Sequence, residues 1–206
     1  MAKGILTVIS GPSGSGKGTV VEALKKDRES YALSISATTR KPREYETDGV
    51  HYFFHSKEEF QQMITEGALL EWAQFCDNYY GTPKAYVEKK LAEGKNVLLE
   101  IEVQGALQIK KIDPEAVLIF MLPPSMEELR RRLTGRGTES AEVIEKRMQR
   151  AEEELDFLPQ YDYAVVNNTV EQAKADIETI IKAESMRCNR TSHWKSNLMK
   201  GETLSC

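Results

Sequence analysis

Four runs of apolar residues recur along the chain: Ile5 to Ile9, Val97 to Leu99 followed by Ile101, Val117 to Leu122, and Tyr163 to Val166. They are continuous rather than alternating, the pattern of strands buried on both faces of a parallel sheet. The stretches between them carry helix boundaries. Ser125 with Glu128, and Thr169 with Gln172, have capping-box spacing. Gly94 and Gly135 stand where helices ending near Glu93 and Thr134 would take a left-handed residue. Buried strands alternating with amphipathic helices predict a doubly wound α/β core. Ligands of such sheets sit beyond the carboxyl ends of the strands.

Two stretches break the alternation. The first, from Ser34 to Thr82, is rich in Thr, Tyr and Phe and contains short apolar alternations such as His51-Tyr52-Phe53-Phe54. It holds one short helix, capped by Ser56 with Glu59 and carrying Phe60, Met63 and Ile64 before Gly67. This predicts an inserted, partly antiparallel subdomain ahead of a helix opened by Pro83. The second is the arginine-rich passage from Arg130 to Arg150, which crosses a Gly135-Arg136-Gly137 turn. Its later part carries an apolar stripe of Ile144, Met148, Ala151, Leu155 and Leu158, so an amphipathic helix is expected with Arg147 on its flank. From Met186 onward there is no periodicity, and an ill-ordered tail is expected.

The first run leads into Gly11-Pro12-Ser13-Gly14-Ser15-Gly16-Lys17-Gly18-Thr19, and a helical pattern with Val20, Val21 and Leu24 on one face follows. Strand, glycine-rich turn, lysine and helix make the context of a phosphate loop. Glycines let backbone N–H groups point around phosphate oxygens, the helix start adds its positive end, and Lys17 adds a point charge. A nucleoside triphosphate site is predicted. Gly18 stands where a Ser or Thr hydroxyl normally meets magnesium, and Thr19 comes one residue late.

Composition adds bounds. The 206 residues suffice for one well-buried core with a small insertion. A formal net charge of −4 argues against a general nucleic-acid binder. Met1 to Gly4 lead straight into the first strand, so no signal peptide is expected, and no apolar run approaches the ~20 residues of a membrane span. Cys76, Cys188 and Cys206 lack metal-ligand spacing and are expected to be free thiols in a reducing cytoplasm.

The candidate chemistry lies in charged residues at marked positions. Arg40 and Arg43 flank Pro42, and two guanidinium forks at that distance suit a dianionic phosphate. Tyr52 and the Asn78-Tyr79-Tyr80-Gly81-Thr82 turn offer uncharged hydroxyl donors near by in sequence. Glu71 sits in the apolar run Leu69-Leu70-Glu71-Trp72-Ala73 and, if buried, needs donors. Guanine offers two adjacent ones, but an internal salt bridge or an exposed strand face would also account for this residue. Glu100 and Glu102 end a buried strand on one side of it. One could hold magnesium directly or through water while the other reaches the acceptor. Arg132, Arg136 and Arg147 suit a mobile lid that closes over a transferring phosphoryl group. His51, His55 and His193 have no spacing that suggests a metal or a catalytic dyad.

Taken together, GPSGSGKGT, SATTRKPR, LLEWAQF, NYYGTP, LLEIEVQG, LTGRGTES with EKR, and YAVVNN resemble guanylate kinases, over Met1 to about Glu184. The resemblance implies magnesium-dependent transfer of the γ-phosphoryl group of ATP to GMP, giving ADP and GDP in purine nucleotide metabolism. It implies a P-loop parallel sheet flanked by helices (1–33, 83–125 and 160–184), a mixed GMP-binding arm (34–82) and a helical lid (126–159), with 185–206 left as a flexible tail. By position, Ser36, Glu71 and Glu102 would read guanine. Arg40, Arg43, Tyr52 and Tyr80 would hold the GMP phosphate, with Thr82 a small hydroxyl in the same pocket. Lys17, Arg132, Arg136 and Arg147 would stabilise the transferring group. Asn167 lies where the family approaches the adenine of ATP, whose phosphates would lie on residues 11–19. Glu100 and Glu102 replace aspartates of the best-known members, and magnesium is expected to be shared by Thr19, water and Glu100. A catalytically inactive peptide-binding module of the same fold is the competing expectation, and the intact Lys17 and lid arginines argue against it. An acceptor other than GMP is opposed by Glu71.

Overall fold

The computed structural model describes residues 3–27, 29–75, 77–135, 140–191, 193–201 and 203. The first third of the chain holds β1 (Leu6–Ser10), α1 (Lys17–Lys25), β2 (Tyr31–Leu33), β3 (Ala37–Thr38), β4 (Phe53–Phe54) and α2 (Lys57–Thr65). Next come β5 (Leu69–Phe75), β6 (Asn78–Pro83), α3 (Lys84–Ala92), β7 (Asn96–Glu100), α4 (Val103–Ile112) and β8 (Val117–Leu122). The last third holds α5 (Met126–Thr134), α6 (Ala141–Leu155), β9 (Tyr163–Val166), α7 (Val170–Ser185) and α8 (His193–Met199).

Five strands form a parallel sheet in the order β2-β7-β1-β8-β9. Period-two alternation divides its residues between two cores. Ile9, Leu98, Ile119 and Met121 pack against α1 and α7 through Val20, Leu24, Ile177 and Ile181. Val8, Val97, Leu99 and Leu118 pack on the other face against α3 and α4 through Val87, Leu91, Ala106 and Ile109. Because both faces are covered, the central strands read as unbroken apolar runs.

The edges depart from expectation. β9 buries only Val165 and leaves Val166 exposed, because among the described residues no strand lies beyond it. β2 closes the opposite edge with three residues, too few to make an apolar run.

The insertion forms a second sheet, β4-β3-β6-β5, mixed as expected, with β3 parallel to β4 and the other pairs antiparallel. α2 packs on it behind a full capping box, in which Glu59 N–H donates to Ser56 Oγ at 3.1 Å and Ser56 N–H to Glu59 Oε2 at 2.8 Å. The other two expected boxes are half formed. Ser125 and Thr169 cap α5 and α7, but the Glu128 carboxylate is taken by Arg131 and Arg132 and the Gln172 amide by Asp176. Gly94 is left-handed as expected, at φ 81°. Gly135 is right-handed, at φ −63°, because its N–H continues the helical bonding to Arg131 O.

α5 and α6 share a small core of Leu129, Leu133, Ile144, Met148 and Ala151. The expected irregular tail carries α8. Before it, Arg190 donates to Glu115 O and to Glu184 Oε2, and Asn189 to Glu115 Oε2 at 2.7 Å. Among the described residues no helix is long and apolar enough to cross a membrane.

Candidate active site

The loop from β1 to α1 is shaped by close approaches that only glycine permits. At Gly11, φ is 137° and an added Cβ would stand 2.3 Å from Met121 O. At Gly16, φ is 93° and a Cβ would stand 2.3 Å from Asn167 Nδ2. Lys17 opens α1, and its Nζ donates to Gly11 O at 2.5 Å and Pro12 O at 3.1 Å. Positive end, backbone N–H groups and ammonium therefore converge on the loop. Ser13, exposed on its outer side, accepts a hydrogen bond from Arg147 Nη1 at 3.0 Å.

A polar clamp holds the loop from behind. Asn167 is buried, and its Nδ2 donates to Ser15 O at 2.8 Å. Arg132 Nη1 donates to the same carbonyl at 3.2 Å and Nη2 to Asn167 O at 3.0 Å, while Nε donates to Glu128 Oε1 at 2.8 Å. The Arg131 and Arg132 guanidinium groups hold the Glu128 carboxyl down at about 2. The Asn167 side chain is thereby turned to the loop backbone. Arg132, on α5, is tied to the same carbonyl, so α5 is joined directly to the loop. Arg136, expected beside it, lies outside the described residues.

Beyond the loop lies a cavity of about 380 Å³ lined by Lys17, Ser34, Ser36, His51, Tyr52, Glu71, Tyr80, Glu100, Glu102 and Gly105, among others. Glu71 is 5% exposed. It sits at a register shift of the β5–β6 pairing between Leu69 and Trp72, the kind of irregularity that re-aims a side chain. Thr82 Oγ1 donates to its Oε1 at 2.6 Å. Its Oε2 lies 2.6 Å from where a Cβ on Gly105 would be, so α4 makes room for the carboxylate by omitting a side chain. Glu71 forms no ion pair among the described residues, which removes the salt-bridge alternative, and its burial removes the exposed-face alternative. Burial pushes the carboxyl up to about 7, against the Thr82 hydrogen bond, which lowers it.

The phosphate-directed residues are only partly gathered. Arg40 Nη2 contacts both Glu46 oxygens, at 2.8 and 2.9 Å, and its guanidinium lies 5.4 Å from the Tyr52 ring centroid. Tyr52 and Tyr80 meet edge to face with centroids 6.2 Å apart. The Arg43 guanidinium turns to Tyr45 Oη at 2.9 Å, on the surface, while its backbone N–H donates to Glu46 Oε2 at 2.8 Å. One carboxylate, Glu46, thus organises both arginines.

Glu100 ends β7 and Glu102 heads α4, and both line the cavity. Ser10 Oγ donates to Ile101 O at 2.9 Å, tying this turn to the start of the loop. Protein crowding pushes the Glu100 carboxyl up, opposed by Lys17. Gly18 faces it, since a Cβ there would lie 3.5 Å from both Glu100 oxygens, and the next residue, Thr19, is exposed. Among the described residues no three His, Cys, Asp or Glu side chains cluster as a metal cage. A divalent cation here would be held by Glu100 with substrate phosphates and water, the donor set that suits magnesium.

His51 Nδ1 accepts from Thr47 N–H at 3.0 Å and the residue lines the cavity, while His55 Nδ1 lies 3.7 Å from Glu59 Oε2. The sequence pattern does not single out Gly105, Glu46 or Arg150. Gly105 has a legible signal, since a glycine inside a helix costs about 1 kcal/mol and calls for a reason. Glu46 and Arg150 have none, being charges in charge-rich stretches.

The geometry can be set beside known proteins. The family model for guanylate kinases matches residues 3–184. The guanylate kinase of Listeria innocua is 52% identical over 200 residues, covering 97% of this chain and 98% of the relative. That of Caldanaerobacter subterraneus is 56% identical over 188 residues, covering 91% of each. The crystal structure of guanylate kinase from Anaplasma phagocytophilum superposes with a TM-score of 0.76 at 34% identity, covering 92% of this chain and 90% of that one. With a family model spanning most of the chain and relatives that match nearly end to end, the chain belongs to the guanylate kinase family.

Proposed function

We propose that the chain transfers the γ-phosphoryl group of ATP to GMP, giving ADP and GDP, within purine nucleotide metabolism. One observation carries this: Glu71, buried and without a cationic partner among the described residues, faces the same cavity as Lys17. A carboxylate so placed accepts from the ring N–H and amino group of guanine, whereas adenine would present a lone pair to it. Glu102 and Ser36 line the same wall and complete base recognition. Arg40, Tyr52 and Tyr80 receive the GMP phosphate, and Arg43 joins them by turning from Tyr45.

The residues then work by alignment and charge neutralisation. A phosphate monoester has its second ionisation near ~6, so the attacking oxygen needs no protein base. The loop backbone and Lys17 hold the donor phosphates. Arg132 and Arg147, already at the loop, stabilise charge on the transferring oxygens, with Arg136 assigned beside them by resemblance. Magnesium, held by Glu100 and water beside Gly18 with Thr19 a further candidate, would supply charge neutralisation on the phosphates. Residues 34–82 act as the acceptor arm and 126–159 as the lid.

An ADP-release assay with GMP, AMP, CMP and UMP tests the assignment. Turnover mainly with GMP is expected. Equal rates with AMP would remove the guanine assignment, and no turnover with any acceptor would favour the inactive peptide-binding module.

A further inference from the structure

One face of α6 touches the machinery of both substrates. Arg147 Nη1 donates to Ser13 Oγ, on the phosphate loop, at 3.0 Å. Arg150 Nη2, one turn on, donates to Glu102 Oε2, in the acceptor cavity, at 3.1 Å. Residues three apart on a helix share a face, so a single rigid surface spans donor and acceptor sites.

Arg150 is also held from its own helix. Its Nε donates to Glu154 Oε1 at 3.1 Å, and Glu154 is buried. The second Glu154 oxygen has no hydrogen-bond partner among the described residues. Glu102 and Glu154 repel one another, and Arg150 lies between them and neutralises both. Without that guanidinium two carboxylates would confront each other across the α4–α6 contact. A cleft of about 420 Å³, lined by Glu102, Gln104, Lys146, Gln149, Arg150 and Phe157, lies beside this contact.

We propose that Arg150 is a positioning residue that couples the two nucleotide sites. Base recognition by Glu102 changes its hold on Arg150, and α6 passes that change through Arg147 to the phosphate loop. Linkage makes the effect reciprocal: the donor nucleotide tightens acceptor binding by the same factor. The inference rests on GMP as acceptor, as argued above.

The test measures GMP binding isotherms with magnesium, with and without a non-hydrolysable ATP analogue. In the unmodified chain the analogue should tighten GMP binding about fivefold or more. In Arg150→Gln that factor should fall below about twofold while each nucleotide alone still binds. Arg150→Lys, which keeps the charge but cannot bridge both carboxylates, should fall between. Melting curves check folding, and should Arg150→Gln fail to fold, Glu154→Gln should show the same loss of coupling. An unchanged factor in a folded variant, or no coupling in the unmodified chain, overturns the proposal. Failure of the unmodified chain to bind GMP at all would instead overturn the acceptor assignment.

Discussion

Thr82 Oγ1 donates to Glu71 Oε1 across 2.6 Å, and the second oxygen of that carboxylate lies 2.6 Å from the absent Cβ of Gly105. One hydroxyl on β6 and one missing side chain on α4 thereby orient a buried carboxyl group towards the cavity it shares with Lys17. Substitution of Glu71 should separate function from stability. Glu71→Gln should raise the KM for GMP about 10- to 100-fold through loss of charge-assisted hydrogen bonds, with little change in the KM for ATP. An unchanged KM for GMP would take Glu71 out of the site.

The same residue sets a pH dependence. Its carboxyl stands at about 7 in the fold against 4.5 when unperturbed. Between those values the folded chain keeps a proton that the unfolded chain has lost, so the contribution of Glu71 to stability falls as pH rises from 4.5 to about 7. The full penalty, about 3 kcal/mol, is present above pH 7. Denaturant melts should show the stability of Glu71→Gln relative to the unmodified chain improving from pH 5 to pH 8. The KM for GMP should rise as pH drops below 7, since protonated Glu71 loses an acceptor.

Gly105→Ala should act on the acceptor alone. The new methyl group would meet Glu71 Oε2 at 2.6 Å and must displace it. Helix propensity gains about 1 kcal/mol, which offsets part of the strain. Steady-state kinetics should show a raised KM for GMP and an almost unchanged KM for ATP. Equal effects on both would point to a distorted α4 instead.

Asn167→Ala should act on the donor. The Ser15 carbonyl keeps Arg132 but loses its Asn167 donor, so the loop loosens where backbone N–H groups must point at phosphates. A rise of about tenfold in the KM for ATP is expected, with a stability loss of about 1–3 kcal/mol read by thermal melting. A selective effect on GMP would contradict the clamp.

Magnesium dependence tests the Gly18–Glu100 pair. Chelation with EDTA should abolish turnover. Gly18→Ser fits without strain, its Cβ at 3.5 Å from the Glu100 oxygens, and places a hydroxyl towards them. The magnesium concentration for half-maximal rate should fall in this variant, and a rise would place the cation elsewhere.

Much of the architecture is legible in the apolar pattern of the chain. Val97 to Leu99 and Val117 to Leu122 read as central parallel strands because both their faces are covered by helices. The three-residue β2 is not legible, since an edge strand that short has no period. Ser56 with Glu59 reads correctly as a cap, whereas Glu128 is diverted from its cap by two arginines that compete for the same oxygens. Arg40 and Tyr52 are legible as candidate polar residues of one arm and do meet in the fold, but Glu46, which orients Arg40, is one acidic residue among many.

The strand–turn–helix order around Gly11 to Thr19 was determined by sequence alone, because an apolar run, a glycine-rich turn and a helical pattern follow one another locally. The same holds for the alternating core and for the kinds of chemistry the arginines and carboxylates allow. Tertiary structure alone decided that Asn167 braces Ser15 across 152 residues, that Gly105 shelters Glu71, and that Arg150 joins Glu102 to α6. Periodicity encodes which face of an element is buried. Which distant atoms meet depends on how those faces pack, and no local pattern in the chain records that.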